Sequence, residues 1–349
     1  MHKKVLVVGA FSPDPHVYTY ATSFYKTLSA LFNTVESFNY RRGYFVNLRL
    51  IAKVKAFKPD IVFIIKGELI KAKTIRTIKA LGATVINFYP DNPFAVWNGN
   101  SNAQVLASLP LFDCFLFWAP DLFPALQAAG CKHTCFMPFA FDQELFDQPI
   151  PKLDTTYQTD VSFVGTWEPA REAMLSQLIT RMPELNLAIW GNDWNTKATN
   201  PAIKPYLRGN AIYGSSMIQA FRNANIVLNF VRQQNLGAHN MRTMEAPASV
   251  GFLLTERTKQ QAQQLFTEGE NIACFDGIDE LIAKIRFYLQ DEKTRRAITQ
   301  KSFLHVQRYT LDTQLRAYFA QCPLFTQQPK VCNDHAYEKT KNCHPHHPQ

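Results

Sequence analysis

The chain has 349 residues, enough for two domains of ordinary size, each with a hydrophobic core. Because 46% of the residues are hydrophobic and only 19% are charged, the composition excludes an intrinsically disordered protein. The net charge of +9 favours anionic partners, and no apolar run reaches the roughly 18 residues of a transmembrane helix. The apolar stretch at 5–8 is too short for a signal peptide and predicts a first strand.

Short apolar strands alternate with amphipathic helices through the first 145 residues. Near-continuous apolar strands separated by helices indicate a parallel sheet covered on both faces. The predicted strands are 5–8, 35–38, 61–65, 84–88, 114–117 and 134–137, and the predicted helices are 17–32, 45–57, 72–81, 101–108 and 121–129.

The segment 140–159 carries Pro149 and Pro151 among many polar residues and predicts a linker. The alternation then restarts, so we expect two tandem Rossmann-like doubly wound α/β domains, at 1–145 and 158–308, that face each other across a cleft. Such clefts are usual ligand sites. A helix at 309–325 and a disordered tail at 326–349 complete the expected order. The second-half strands are predicted at 160–164, 187–190, 212–213, 226–230, 252–255 and 272–275, and the helices at 170–182, 215–223, 258–267, 278–290, 292–307 and 311–320, besides one beginning near 242.

The positive charge is concentrated at the N-terminal end. Residues 1–82 contain 14 Lys and Arg against 4 Asp and Glu, whereas residues 83–349 contain 23 against 24. Such a basic face suits anionic lipid head groups or a phosphorylated acceptor. Nucleic acid is not expected, because no nucleic-acid module and no long basic run is present. A simply solvated helix face is the alternative.

The cysteines and carboxylates indicate a reducing compartment and no metal requirement. Seven cysteines form no C-x-x-C pair, which suits the cytoplasm. Cys131 and Cys135, with His133 between them, are a weak zinc motif, and buried thiols are the favoured interpretation. No Asp-x-Asp motif occurs. We therefore expect an enzyme that works without a metal or other cofactor.

Arg242 and Glu245 stand three residues apart on the predicted first turn of a helix. Side chains at this spacing share one helix face, and a helix N-terminus favours an anion. Arg can bind two phosphate oxygens at once, and Glu can accept hydrogen bonds from ribose hydroxyls. The pair therefore predicts a nucleotide diphosphate site and a nucleotide-sugar enzyme, with an ordinary surface ion pair as the alternative.

Several further pieces of sequence, in their order and spacing, resemble one known family. Over most of residues 5–320 the chain resembles the spore-maturation CgeB-type branch of the group 1 glycosyltransferases. This resemblance implies the two-domain GT-B fold, a nucleotide-sugar donor on the C-terminal domain, an acceptor on the N-terminal domain, and a last helix that crosses back. The matching pieces are 58–63, 66–68, 89–93, 160–166 with Arg171, 189–191 with Trp194, 227–230, 239–246 and 251–256.

Related group 1 enzymes carry a Glu-x7-Glu pattern whose second Glu binds the ribose, and the resemblance assigns that role to Glu245. The first Glu would fall at position 237, where this chain has Gly237. The departure leaves the donor sugar and the stereochemical class open. His239 is the nearby residue that would supply part of the lost contact.

Other donor-side candidates follow the predicted strands of the second domain. Gly165 and Thr166 end its first strand, where backbone would approach the diphosphate, and Arg171 would supply positive charge. His239 would donate to a phosphate or a sugar hydroxyl, or else stabilise its loop. For Trp190 and Trp194, stacking on the base and packing in the core are equal alternatives, and Asn229 would bind donor or satisfy a local turn. Gly191 and Met241 complete the candidate donor residues.

The acceptor-side candidates follow strands of the first domain. An inverting transfer needs a general base, for which Asp91 and Asp14 are best placed, with His16 close behind. Lys66 and Glu68 follow the third strand. A retaining transfer needs no dedicated base, and electrostatic support of the leaving diphosphate would then be the main aid.

These patterns together predict a cytoplasmic glycosyltransferase, also in peripheral contact with the inner face of the membrane. Its acceptor would be a cell-envelope glycan, a lipid-linked glycan or a protein. Three alternatives remain open: a nucleotide-sugar epimerase of the same fold, a two-domain protein that binds a small ligand without chemistry, and a non-catalytic scaffold.

Overall fold

The computed structural model describes residues 2–13, 19–95, 102–147, 157–235, 237–322 and 324–325. Within them the chain forms two six-stranded sheets, and every strand pair in both is parallel. The predicted α/β class with two tandem doubly wound units is therefore confirmed.

The central strands of the first sheet are buried over most of their length. One of them, Ile61–Ile65, is buried at every position, because a parallel sheet flanked by helices leaves no face in water. Its strands are β1 (Lys4–Gly9), β2 (Thr34–Asn39), β3 (Ile61–Ile65), β4 (Thr84–Phe88), β5 (Cys114–Phe117) and β6 (Thr134–Phe136), in the spatial order β2-β1-β3-β4-β5-β6. Its helices are α1 (Tyr20–Leu31), α2 (Val46–Phe57), α3 (Ala72–Ala80), α4 (Ala103–Ser108) and α5 (Phe123–Ala128).

The second sheet has the strand order typical of dinucleotide-binding domains. Its strands are β7 (Thr159–Val164), β8 (Leu187–Trp190), β9 (Leu207–Gly209), β10 (Ala224–Asn229), β11 (Leu253–Glu256) and β12 (Ala273–Phe275), ordered β12-β11-β10-β7-β8-β9. The chain order reverses between β7 and β10, so the carboxyl ends of these two strands flank a crevice in which ligands bind in such sheets. The remaining helices are α6 (Gln143–Phe146), α7 (Pro169–Arg181), α8 (Trp194–Lys197), α9 (Gly214–Arg222), α10 (Arg242–Ala248), α11 (Gly277–Gln290), α12 (Glu292–Val306) and α13 (Leu311–Gln321).

The last helix, α13, packs on the first domain. Leu315 and Phe319 belong to the same hydrophobic core as β1 and β3, and the Phe319 ring lies 5.0 Å from that of Phe32. The two connections between the domains also run side by side, because the backbone of Phe141 bonds to Tyr309 and Leu311. The chain therefore joins its domains through two adjacent segments.

Three predicted elements differ from the structure. The expected strand at 212–213 is wrong: the short strand is Leu207–Gly209, whose position is decided by pairing with β8 rather than by its own polar sequence. The predicted helix at 258–267 is a six-residue π-helix at Gln260–Leu265. The predicted linker at 140–159 contains α6, and its residues 148–156, like the tail from 326 onward, lie outside the described residues.

The cysteines, the possible metal ligands and the helices can be compared with the expectations about a metal site and a membrane span. In the described part of the chain no disulfide bond joins any two of the cysteines at positions 114, 131, 135, 274 and 322. No group of three or more metal-ligating side chains is assembled among those residues. None of the helices described is long and apolar enough to cross a bilayer.

Candidate functional site

A cavity of about 310 Å³ lies where the two domains meet. It is bordered by the start of α1, the connection that contains α6, and the starts of α9 and α10. Its lining therefore comes from both domains, as a site that closes around a ligand requires. The lining residues are Thr19, Tyr20, Ser23, Ala140, Phe141, Asp142, Leu145, Phe146, Tyr213, Gly214, Met217, Met241, Arg242, Glu245 and Leu311.

Arg242 and Glu245 both reach this cavity from the first turn of α10, as their spacing predicts. The two side chains form an ion pair, and Arg242 Nε donates to the backbone oxygen of Val164 at 3.2 Å. The guanidinium also lies over the Phe221 ring, 5.7 Å from its centre. The side chain of Arg242 is 22% exposed and that of Glu245 12%, which disfavours the alternative of an ordinary surface ion pair. The pair is anchored in the second sheet and faces the cavity.

Two polar atoms in the cavity lack a partner among the described residues: the hydroxyl of Tyr20 and Oδ2 of Asp142. Burial, and then the charge of Glu245, raise the pKa of Tyr20 well above its usual value, so it remains a neutral hydroxyl. A buried polar atom without a partner is costly, which makes these two atoms candidate contacts for a ligand. The sequence gives no signal for Tyr20, because it lies in the first turn of an ordinary amphipathic helix.

Arg171 lies inside the fold and is not among the residues that line the cavity. Its Nη1 donates to Thr166 O at 2.9 Å and its Nη2 donates to Phe230 O at 3.2 Å. These carbonyls follow β7 and β10, so one side chain ties together the two loops at the strand-order reversal. Burial lowers the pKa of Arg171 to about 10, and Glu168 opposes that shift. The structure thus places Arg171 as a brace of the crevice, where the sequence predicted a direct phosphate ligand.

Gly165 and Gly191 touch each other closely at the ends of β7 and β8. A Cβ atom on Gly191 would lie 1.9 Å from Gly165 O, so no larger residue fits without moving the loop. Trp194 Nε1 also donates to Gly165 O, at 2.8 Å. Trp190 and Trp194 are both buried, which favours core packing over base stacking for the two rings.

His239 is completely buried, and both of its ring nitrogens are occupied. Nε2 accepts from the Phe139 N–H at 2.9 Å, and Nδ1 lies 2.6 Å from Gln260 Oε1. Because the amide oxygen can only accept, Nδ1 carries the proton. His239 therefore has no nitrogen left for a phosphate or sugar, and the expectation of a direct donor contact is not met. It joins the two domains.

The loop that leads into α10 is held by amide side chains. Asn229 Nδ2 donates to Thr255 Oγ1 at 2.9 Å, and Asn240 Nδ2 donates to Asn229 Oδ1 at 3.0 Å. This supports the local interpretation of Asn229. Met241, the residue before α10, lines the cavity and packs against the first domain's core. Gly237, in the same loop, has a φ of +77°, a conformation that favours glycine over Glu.

The acceptor-side residues pair with each other outside this cavity. Lys66 Nζ lies 2.8 Å from Asp91 Oδ2. Glu68 is buried, accepts from the Tyr40 hydroxyl at 2.6 Å and pairs with Arg41. Asp14 and His16 lie outside the described residues. Of the predicted bases, only Asp91 lies in the described part of the chain, and it is not among the residues that line the cavity.

Residues 171–320 match the sequence model of a family described as glycosyl transferase-like. This part of the chain is therefore similar to that family. The prediction of a glycosyltransferase is confirmed at this level. Among curated proteins, no sequence matches the chain.

Solved structures share the whole two-domain architecture. Anabaena HepE, crystallised with UDP-glucose, superposes with a TM-score of 0.65 at 12% identity, over 90% of this chain and 98% of its own. Trehalose 6-phosphate synthase of Burkholderia multivorans gives 0.61 at 10% identity, over 92% and 96%. A Listeria monocytogenes protein assigned provisionally as a UDP-N-acetylglucosamine 2-epimerase gives 0.54 at 11% identity, over 95% and 99%. The chain has the GT-B fold.

Proposed function

We propose that this protein transfers a sugar from a nucleotide diphosphate sugar to an acceptor, and that it belongs to the CgeB-type branch. The observation that carries the proposal is the Arg242–Glu245 pair, which is anchored to the end of β7 and faces the cavity between the domains. A cationic fork and a carboxylate side by side suit a diphosphate and a ribose.

The donor would bind the C-terminal domain as follows. Glu245 accepts from the ribose hydroxyls, and Arg242 supports the diphosphate, whose leaving charge it stabilises during transfer. The loop after β7, at Gly165 and Thr166, lies where the strand order reverses, and its backbone would approach the diphosphate. Arg171 holds this loop in place. UDP is the first nucleotide to test, because the similar Anabaena protein was crystallised with UDP-glucose.

The orphaned polar atoms supply a second set of contacts. The Tyr20 hydroxyl comes from the first domain and Asp142 from the connection, so a donor that contacts them would bring both domains together. Closure of this kind excludes water from the reacting bond. The acceptor would approach over the basic first domain. It would be a cell-envelope glycan, a lipid-linked glycan or a protein. The transfer would take place in the cytoplasm, at the inner face of the membrane. The positive charge of Arg242 would balance the negative charge of the diphosphate, so that no metal ion is required.

The proposal is tested by calorimetric titration of the full chain with UDP, GDP, ADP, CMP and dTDP, with and without Mg²⁺. We expect micromolar binding of one nucleotide, unchanged by EDTA. Arg242→Ala should weaken it by roughly 10- to 100-fold, the range of a charged hydrogen bond. Arg286→Ala, at an exposed position on α11, is the matched control and should bind as wild type. Equal binding by Arg242→Ala would exclude this helix as the donor site.

Incubation with the nucleotide sugar separates the alternatives. A transferase releases the nucleotide diphosphate, slowly onto water and faster with acceptor. An epimerase returns an altered nucleotide sugar, and a binding protein or scaffold returns the donor unchanged.

A further inference from the structure

A group of large apolar side chains is exposed at the carboxyl edge of the first sheet, between β2 and α2. Tyr44 is 88% exposed, Phe45 79% and Leu48 67%. Leu69, in the loop after β3, is 46% exposed, and its carbonyl accepts from Asn47 on the first turn of α2. We name Tyr44, Phe45, Leu48 and Leu69 the apolar tip. Neighbouring exposed apolar residues of this size indicate a surface that is covered in the working protein.

The backbone of the tip is strained in a way that local folding does not require. Phe45 has a φ of +53° and a ψ of +40°, the left-handed region, and its side chain makes no capping hydrogen bond to α2. Bulky residues are disfavoured there, and Gly or Asn would suit the position better. Strain of this kind is retained at functional positions. The conformation directs an aromatic residue away from the fold into solvent.

A cavity of about 440 Å³ with a cationic lining lies beside the apolar tip. Arg42, Arg49 and Lys53 line it together with the end of β2. Arg49 Nη1 donates to the Arg42 carbonyl, and its guanidinium lies 5.5 Å from the centre of the Phe38 ring, so its position is set.

Few carboxylates lie near the cationic side chains of this cavity. Glu36 pairs with Lys53, and Glu68 pairs with Arg41. The guanidinium groups of Arg42 and Arg49 have no carboxylate partner among the described residues. They therefore remain as local positive charge within the segment 1–82, where the chain's excess of Lys and Arg lies.

We propose that the apolar tip and the cationic cavity dock the first domain on an anionic phospholipid surface. The tip enters the boundary between head groups and acyl chains, and Arg42 and Arg49 bind lipid phosphate. Apolar side chains flanked by Arg and Lys are the composition that interfacial membrane binding requires. Leu48 and Leu69 favour a membrane over nucleic acid, since aliphatic side chains offer no ring on which a base could stack.

The docking surface adjoins the acceptor side of the molecule. The Tyr40 hydroxyl donates to Glu68 at 2.6 Å, so the turn after β2 is fixed to the loop that carries Lys66 and Glu68. A lipid-linked acceptor would thus reach the cleft from the bilayer. Only this consequence rests on the proposed function; docking itself does not.

The test is sedimentation of the full chain with vesicles of phosphatidylglycerol and phosphatidylcholine, compared with phosphatidylcholine alone. We expect binding to the anionic vesicles, weakened by salt. Replacing Tyr44, Phe45 and Leu48 together by Ser should lower partitioning more than about tenfold. Arg42→Gln should lower it about fivefold, the effect of one charge near such a surface. The controls Leu304→Ser and Arg286→Gln, at exposed positions on α12 and α11, should bind as wild type.

Insertion is tested separately with Phe45→Trp, whose fluorescence should shift to the blue on anionic vesicles and be quenched by brominated lipids. No sedimentation of wild type, equal binding to neutral vesicles, or full binding by the triple variant would overturn the proposal. Tighter binding to a single-stranded oligonucleotide, lost in the same variants, would assign the surface to nucleic acid instead. Nucleotide affinity should be unchanged in all docking variants, so failure here is distinguishable from failure of the donor site.

Discussion

Nε2 of His239 accepts a 2.9 Å hydrogen bond from the backbone N–H of Phe139, and this bond joins the second domain to the end of the first. Gln260, the partner of His239 Nδ1, extends the contact, because its Nε2 donates to Trp118 O at 3.2 Å. All of these groups are buried. The two domains are therefore joined by a polar network whose His239 lies three residues before Arg242, the first residue of α10.

This network should make stability depend on pH. Burial lowers the pKa of His239 to about 4, from an ordinary value of 6.5. Between these values the unfolded chain binds a proton that the folded chain does not, so stability falls as the pH drops from about 6.5 to 4. The loss would reach about 3 kcal/mol. Urea unfolding at pH 7 and pH 4.5 measures it.

The matched variants for that measurement are His239→Gln and His133→Gln. The first cannot titrate, so its stability should fall less between the two pH values than that of wild type. The second changes an exposed histidine and should follow wild type. Equal pH dependence in all three proteins would show that His239 is not the group responsible.

Tyr20→Phe should act in opposite directions on stability and on nucleotide affinity. Removing a buried hydroxyl that has no described partner should stabilise the ligand-free protein by about 1 kcal/mol. If the ligand supplies the missing partner, affinity should fall about fivefold, the value of one neutral hydrogen bond. Thermal unfolding and calorimetry measure the two effects. Lower stability of the variant would mean that the hydroxyl is already bonded.

Gly191→Ala should disturb the loop at the end of β7. The added Cβ would meet Gly165 O at 1.9 Å, a backbone atom that cannot rotate away. We expect a loss of about 1–3 kcal/mol in unfolding free energy and weaker nucleotide binding. Gly269→Ala is the control, because its Cβ meets nothing and only its positive φ adds cost. A Gly191→Ala protein no less stable than this control would contradict the close approach.

Arg171→Met should destabilise the protein more than Arg181→Met on the same helix. The first removes the two hydrogen bonds that the buried guanidinium donates to the carbonyls of Thr166 and Phe230, at a cost of about 3 kcal/mol. The second removes an exposed ion pair with Asp279, which contributes at most about 1 kcal/mol. Chemical unfolding decides between them. If Arg171 instead contacts the donor without bracing the crevice, the two losses would be equal and only affinity would change.

The sheet architecture could be predicted because burial on both faces leaves a simple pattern. β3 is an unbroken apolar run between Pro59-Asp60 and the polar Lys66-Gly67, and the structure begins and ends it at the predicted residues. The edge strand Leu207–Gly209 carries no such pattern, since an edge strand is half exposed and only its pairing with β8 locates it. The three-residue spacing of Arg242 and Glu245 also predicted that the two side chains share one helix face.

By itself, then, the sequence determined the alternation of strands and helices, the doubly wound class and the side that Arg242 and Glu245 share, because each depends on periodicity within one element. The tertiary structure alone decided that Arg171 braces two loops, that His239 joins two domains, and that Tyr20 faces the cavity. These roles depend on which elements pack together: Arg171 meets Phe230, 59 positions away, and His239 meets Phe139, 100 positions away. An arginine or histidine has the same local signature whether it later lies against a ligand or against a buried carbonyl.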